Sequence, residues 1–160
     1  TTLLNGVSLQ LDLAPSIPPV EAKRAHIQQI IMNLIINAAE SIEDGHGIVL
    51  LRTGLENIRD GQTRHQFING RSLTSGPHIY LQVTDTGCGM TPKQVSQIFS
   101  PFFTTKPAGR GLGLATVLDV VNLYQGGITV DSQPGLGSTF CVFLPLPTHL
   151  GAMPNMSTLH

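Results

Sequence analysis

The chain has 160 residues, 41% of them hydrophobic and 12% charged, with a net charge of −1, which is length enough for one domain with its own core. Near-neutrality without a long basic run argues against electrostatic capture by nucleic acid or by an acidic membrane surface. The longest apolar segment, 30–36, contains Asn33 and is too short to span a bilayer. The first residues carry no charged leader ahead of an apolar stretch, so they do not read as a signal peptide. With Thr at position 1 the chain reads as a piece of a longer protein. Two cysteines, Cys88 and Cys141, give neither metal spacing nor a disulfide framework. Cys88 lies in a glycine turn, where it reads as a small packing residue or as a nucleophile without a basic neighbour in sequence.

In chain order, Val7–Leu13 alternates apolar and polar residues and predicts a half-buried strand. Pro15, Pro18 and Pro19 then break regular structure. From Glu21 to Asp44 the period becomes helical, with Ile27, Ile31, Leu34, Ile35, Ala38 and Ile42 on one side and Gly45 as the stop. Asn33 and Asn37 stack four apart on another face, flanked by Gln29 and Glu40. Asn is a mediocre helix former, and this pair reads either as a solvated face or as two amide oxygens aimed at a cation or polar ligand. Ile48–Leu55 predicts a second strand. Residues 57–77 are polar and rich in turn signals, and they predict a long surface loop with an exposed tip between antiparallel strands.

A third strand, His78–Thr84, ends at Asp85-Thr-Gly-Cys-Gly-Met90, a carboxylate followed by two glycines that permit close approach. Thr91 and Pro92 open a short helix that ends around Phe99. A loop with two aromatics and several glycines occupies 101–111, a helix is predicted over Leu112–Gln125, and strands Ile128–Ser132 and Thr139–Leu144 flank the turn 133–137. After Pro147 the pattern dissolves, so 1–147 reads as the domain and 148–160 as a disordered tail. Five strands and three helices predict an α+β protein: a two-layer α/β sandwich whose mixed sheet is covered on one face by the helices.

Five motifs stand in a fixed order: Asn33-Leu-Ile-Ile-Asn37, Asp85-x-Gly87-x-Gly89, Phe99-x-Pro-Phe102-Phe103, Gly109-Arg-Gly111-Leu-Gly113-Leu114 and Gly135-x-Gly137-Ser138. Together they resemble the N, G1, F, G2 and G3 boxes of the ATP-binding catalytic domain of sensor histidine kinases, in the superfamily shared with gyrase and chaperone ATPases. The resemblance covers 7–146 and implies the Bergerat-type ATP-binding fold. It is neither a P-loop, since Gly-x-x-x-x-Gly-Lys is absent, nor a dinucleotide fingerprint, since Leu114 stands at the sixth place.

By this resemblance Asp85 accepts from the exocyclic amine of adenine, and a base presenting an oxo group there is rejected. Ser138, where Thr is commoner, helps hold the carboxylate through water. The implied nucleotide-binding set is Asp85, Gly87, Gly89, Phe103, Thr105, Lys106, Gly109, Arg110, Gly111, Leu112, Gly113, Leu114 and Ser138. Lys106 and Arg110 read either as phosphate cations or as solvated charges, and the helix after Gly113 offers its N-terminus to the phosphates. Asn37, with Asn33, is implied to hold Mg2+ beside the ATP phosphates, and Asn33, Asn37 and Lys106 to serve the transfer. In hydrolysing relatives the place of Asn33 carries Glu, the base that activates water. An amide cannot take that proton, so transfer to an external acceptor is expected over hydrolysis. None of the six histidines begins a His-(Glu/Asp)-x-x-x-Pro pattern. The acceptor histidine is therefore expected on a separate dimerisation helix pair, with a response-regulator receiver domain downstream and no contact with nucleic acid or membrane by this domain. The implied setting is cytoplasmic. A hydrolysing relative, a non-catalytic nucleotide sensor and a serine-directed kinase of the same fold remain alternatives.

Overall fold

The computed structural model describes residues 6–59, 67–70, 72–100 and 113–147. Elements follow as β1 (Ser8–Asp12), α1 (Arg24–Glu40), β2 (Ile48–Ile58), β3 (Gly76–Asp85), α2 (Pro92–Val95), α3 (Gly113–Leu123), β4 (Gly127–Ser132) and β5 (Ser138–Pro145). The five strands form one sheet in the order β1-β2-β3-β5-β4. β1 runs parallel to β2, and every other pairing is antiparallel, so the sheet is mixed.

The register sorts the strands into two faces. Val49, Asp85, Ser138 and Ser132 lie in one row across β2, β3, β5 and β4, and Leu51, Val83, Phe140 and Val130 fill the next. This face meets Ile30, Leu34 and Ala38 of α1 and Val117, Val120 and Val121 of α3, which together with the sheet residues make the core. Burying side chains of this size contributes about 1.5–3 kcal/mol each. The row that reaches the sheet end is thus polar in three of its four places, while the row next to it is apolar throughout.

Several boundaries differ from the predicted ones, each for a local reason. α1 begins at Arg24 rather than Glu21, because the Ala22 N–H is committed to Val20 O at 3.0 Å in a tight turn. It ends before Gly45 because Ser41 closes it: the Ser41 hydroxyl donates to Ala38 O at 2.7 Å, and the Ser41 carbonyl turns away to accept from Cys88 N–H at 3.1 Å. α2 carries the expected cap in full, with Thr91 and Gln94 bonded reciprocally at 2.9 and 3.2 Å. Its helical span stops at Val95, and the chain continues to Phe99 in turns.

The long loop is shorter than predicted. β2 runs on to Ile58 and pairs with β3 as far as Gly76. Residues 67–70 dock on the sheet instead of standing off it. Ile68 N–H donates to Ile128 O at 2.8 Å, and Asn69 Nδ2 donates to Asn122 Oδ1 and Gly126 O at 3.0 and 3.1 Å. Phe67 packs edge-on against Phe143 at 5.7 Å, on the face opposite the helices. It lies over Gly127, whose Cβ would stand 2.6 Å from the ring. Residues 60–66 and the tail 148–160 lie outside the described residues.

Candidate functional site

Asp85 is the last residue of β3 and only 3% exposed. Burying a carboxylate costs several kcal/mol unless it is hydrogen-bonded. Here Gly87 N–H donates to its Oδ1 at 2.8 Å and Ser138 N–H at 3.3 Å. The first bond closes the turn after the strand and the second comes from the neighbouring strand. The carboxylate is therefore fixed from both sides by backbone.

The glycines of the turn are required by the protein's own packing. A Cβ at Gly87 would stand 2.1 Å from Ser41 Oγ, and one at Gly89 only 1.9 Å from Gln133 O. Gly89 also has φ of +68° and Gly137 of +80°, a region that L-residues avoid. At Gly137 a Cβ would meet Asp85 O at 2.1 Å. These close approaches admit the end of α1 on one side and the 133–137 turn on the other, and these build the wall in which Asp85 sits.

Ser138 is buried and bonds Ser132 through the two hydroxyls at 2.8 Å. Sequence reasoning missed Ser132. The signal was present: five residues, 133–137, separate Ser132 from Ser138, and closing that hairpin sets the two opposite each other. A cavity of about 270 Å³ lies at this sheet end, with Asp85, Ser132, Gln133 and Ser138 in its lining. Among the described residues its lining includes none from α1 or α3.

On the helix side, Asn33 and Asn37 share one face of α1 and are partly buried. Asn33 points at the start of α3, where a Cβ on Gly113 would lie 3.8 Å from its Cγ and Oδ1. Leu114 turns inward and packs against the core. α1 thus meets the Asp85 turn at its end, through Ser41, and the start of α3 at Asn33. Phe102, Phe103, Thr105, Lys106, Gly109, Arg110, Gly111 and Leu112 lie outside the described residues. Phe99 lies within them and packs on Phe140 at 6.5 Å, a core role. Among the described residues no three His, Cys, Asp or Glu side chains group as a metal site. Two amide oxygens on one helix face fit a hard cation that brings most of its oxygens with a phosphate ligand. Burial, with the Glu56 charge second, pushes the Cys141 thiol up to about 12, whereas Cys88 is exposed.

A mixed five-stranded sheet with α1 and α3 on one face, a buried carboxylate at a strand end and an Asn pair on α1 define an ATP-binding α+β sandwich of the histidine-kinase type. The chain belongs to the family of histidine kinase-, DNA gyrase B- and HSP90-like ATPases, whose model matches residues 22–148, and it is the ATP-binding catalytic part of that architecture. The sensor kinase CckA of Brucella abortus is 35% identical over 141 residues, covering 87% of this chain and 14% of the relative. The sensory histidine kinase/phosphatase NtrB of Rhizobium meliloti is 40% identical over 139 residues, covering 86% of this chain and 35% of the relative. The chain therefore spans about a seventh of the length of the first of these and about a third of the second. Among solved structures, the mycobacterial sensor histidine kinase MprB matches with a TM-score of 0.64 at 28% identity, covering 88% of this chain and 83% of that one. Full-length ShkA in complex with AMPPNP matches at 0.67 and 26%, covering 88% and 26%. No helix among the described residues is long and apolar enough to cross a membrane.

Proposed function

We propose that the chain binds Mg-ATP and donates the γ-phosphoryl to a histidine on a separate dimerisation helix pair, as the catalytic domain of a two-component sensor kinase whose phosphate passes on to a receiver domain. The observation that carries this reading is the buried Asp85, held by two backbone N–H groups at the end of a strand. Asp85 reads the amine of the base, with Gly87, Gly89 and Ser138 shaping its surroundings. Gly113 and the first turn of α3 receive the phosphates, with Lys106 and Arg110 as phosphate cations. That full-length ShkA, a match to this fold, is in complex with AMPPNP supports nucleotide binding.

Transfer forms a bond between an imidazole nitrogen of the acceptor and the γ-phosphorus. The bond to the β–γ bridging oxygen breaks and ADP leaves with the electron pair. Mg2+, when bound through Asn37 and Asn33, supplies charge neutralisation at the phosphates. The chain's own contribution is positioning and exclusion of water. Asn33 cannot deprotonate a water, so hydrolysis is disfavoured against transfer. The test is incubation with labelled ATP and a cognate dimerisation domain. Acid-labile, base-stable phosphate on that domain supports the reading. Steady ATP hydrolysis without transfer, abolished in Asn33→Ala, would replace it with an ATPase. Tight ATP binding with neither reaction would leave a nucleotide sensor.

A further inference from the structure

We propose that Ser132 is a positioning residue that takes up the Ser138 proton, so that the Ser138 hydroxyl meets the base as an acceptor only and the pocket selects an amine edge over an oxo edge. The proposal rests on the reading of Asp85 as the base-recognising carboxylate. Ser132 is the last residue of β4 and lies opposite Ser138, which lies opposite Asp85, so the three occupy one row on the core face of adjacent strands. Ser132 Oγ makes three contacts: Met90 N–H at 2.8 Å, Ser138 Oγ at 2.8 Å and Gly137 O at 3.2 Å. A hydroxyl has one proton and two lone pairs. The Met90 amide can only donate and the Gly137 carbonyl can only accept. One assignment satisfies all three contacts: Ser132 donates to Gly137 O and accepts from Met90 N–H and from the Ser138 hydroxyl. The single proton of Ser138 is thereby committed, and only its lone pairs are left for a ligand.

Ser138 is joined to Asp85 by its own N–H, at 3.3 Å. A carboxyl group that already accepts from two backbone N–H groups and an acceptor-only hydroxyl side by side suit a group with two N–H bonds, either directly or through a shared water. An oxo group in that place faces acceptors alone. Without Ser132, the Ser138 hydroxyl is free to rotate and donate to an oxo group, so discrimination falls while the pocket remains. Ser132 also joins the turn after Asp85 to the 133–137 turn through Met90 and Gly137, which gives it a structural role that the test must separate.

The test compares Mg-ATP with Mg-ITP, which carries an oxo group in place of the amine, by calorimetric titration of the 160-residue chain. Wild type is expected to prefer ATP, and Ser132→Ala to narrow the ATP:ITP ratio roughly three- to tenfold, the worth of one hydrogen bond. Ser132→Thr, which keeps the hydroxyl, is expected to restore the ratio. In a Ser138→Ala background Ser132→Ala is expected to change the ratio no further. Equal weakening of both nucleotides by Ser132→Ala, or an undiminished effect without Ser138, would overturn the proposal. Ser132→Cys, close in shape and weak as donor and acceptor, gives the same reading if the alanine variant does not fold. An ATP preference that is lost in Asp85→Ala but untouched in Ser132→Ala would overturn the role of Ser132 alone. Wild type that does not distinguish ATP from ITP, or Asp85→Ala that keeps the preference, would overturn the Asp85 reading and this proposal together.

Discussion

Gly89 and Gly135 both have positive φ, +68° and +79°, yet they should respond differently to a methyl group. At Gly135 nothing stands within 4 Å of the added carbon, whereas at Gly89 Gln133 O stands at 1.9 Å. Gly135→Ala should therefore cost about 1–2 kcal/mol, the penalty of the left-handed conformation. Gly89→Ala should cost more, and urea unfolding of both variants checks the order. The cysteines differ in the same local way. A thiol reagent at neutral pH should label Cys88 and leave Cys141 untouched until the chain unfolds, since only Cys88 is exposed. The Cys141 thiol rises from 9.0 to about 12 in the folded chain. Its contribution to stability is therefore complete below about pH 9 and is lost as pH climbs from there towards about 12, by up to about 1.4 kcal/mol per unit. Cys141→Ala should flatten the fall in stability over that window, as read by unfolding at stepped pH. Asp85 and the Asn pair were legible from residue type and spacing. The reason for the glycines was not, because Ser41 and Gln133 are brought to the turn only by tertiary packing.

α1 and α3 are tied together at one end by Tyr124. Its hydroxyl accepts from Lys23 N–H at 3.0 Å and bonds His26 Nδ1 at 2.6 Å, while the His26 and Tyr124 rings meet edge-on. Lys23 is the N-cap position of α1 and makes no side-chain cap of its own. Tyr124, the residue after α3, therefore does what a Glu or Gln at the third helical position does in a capping box, accepting from the N-cap N–H. Tyr124→Phe keeps the ring contact and should cost about 1–2 kcal/mol, visible as earlier hydrogen exchange in the first turn of α1. Nothing within the α1 sequence signals this, because the partner lies about a hundred residues away. The type and order of every element were legible from periodicity and turn residues. The ends were less so, because they depend on distant acceptors: Cys88 N–H on the Ser41 carbonyl, and Ile68 N–H on Ile128 O. Residues 67–70 carry turn signals by composition, yet the exposed β4 edge and the small Gly127 beneath Phe67 draw them onto the sheet.

The described residues form a sheet whose polar core-facing row, Asp85, Ser138 and Ser132, stands at the end of β3, next to the apolar row Leu51, Val83, Phe140 and Val130. The apolar side chains of the sheet hold α1 and α3, and α1 carries the Asn pair. Binding is expected to be a property of that arrangement, so changes at either side should act on affinity with the fold intact. The most direct measurement is a titration of the chain with ATP, ADP and GTP, with and without Mg2+, on wild type and Asp85→Ala. Wild type should prefer ATP to GTP by at least about tenfold, tighten with Mg2+, and lose the preference in Asp85→Ala. Equal affinity for ATP and GTP in wild type, or an unchanged preference in Asp85→Ala, would contradict the assignment of Asp85 as the residue that reads the base.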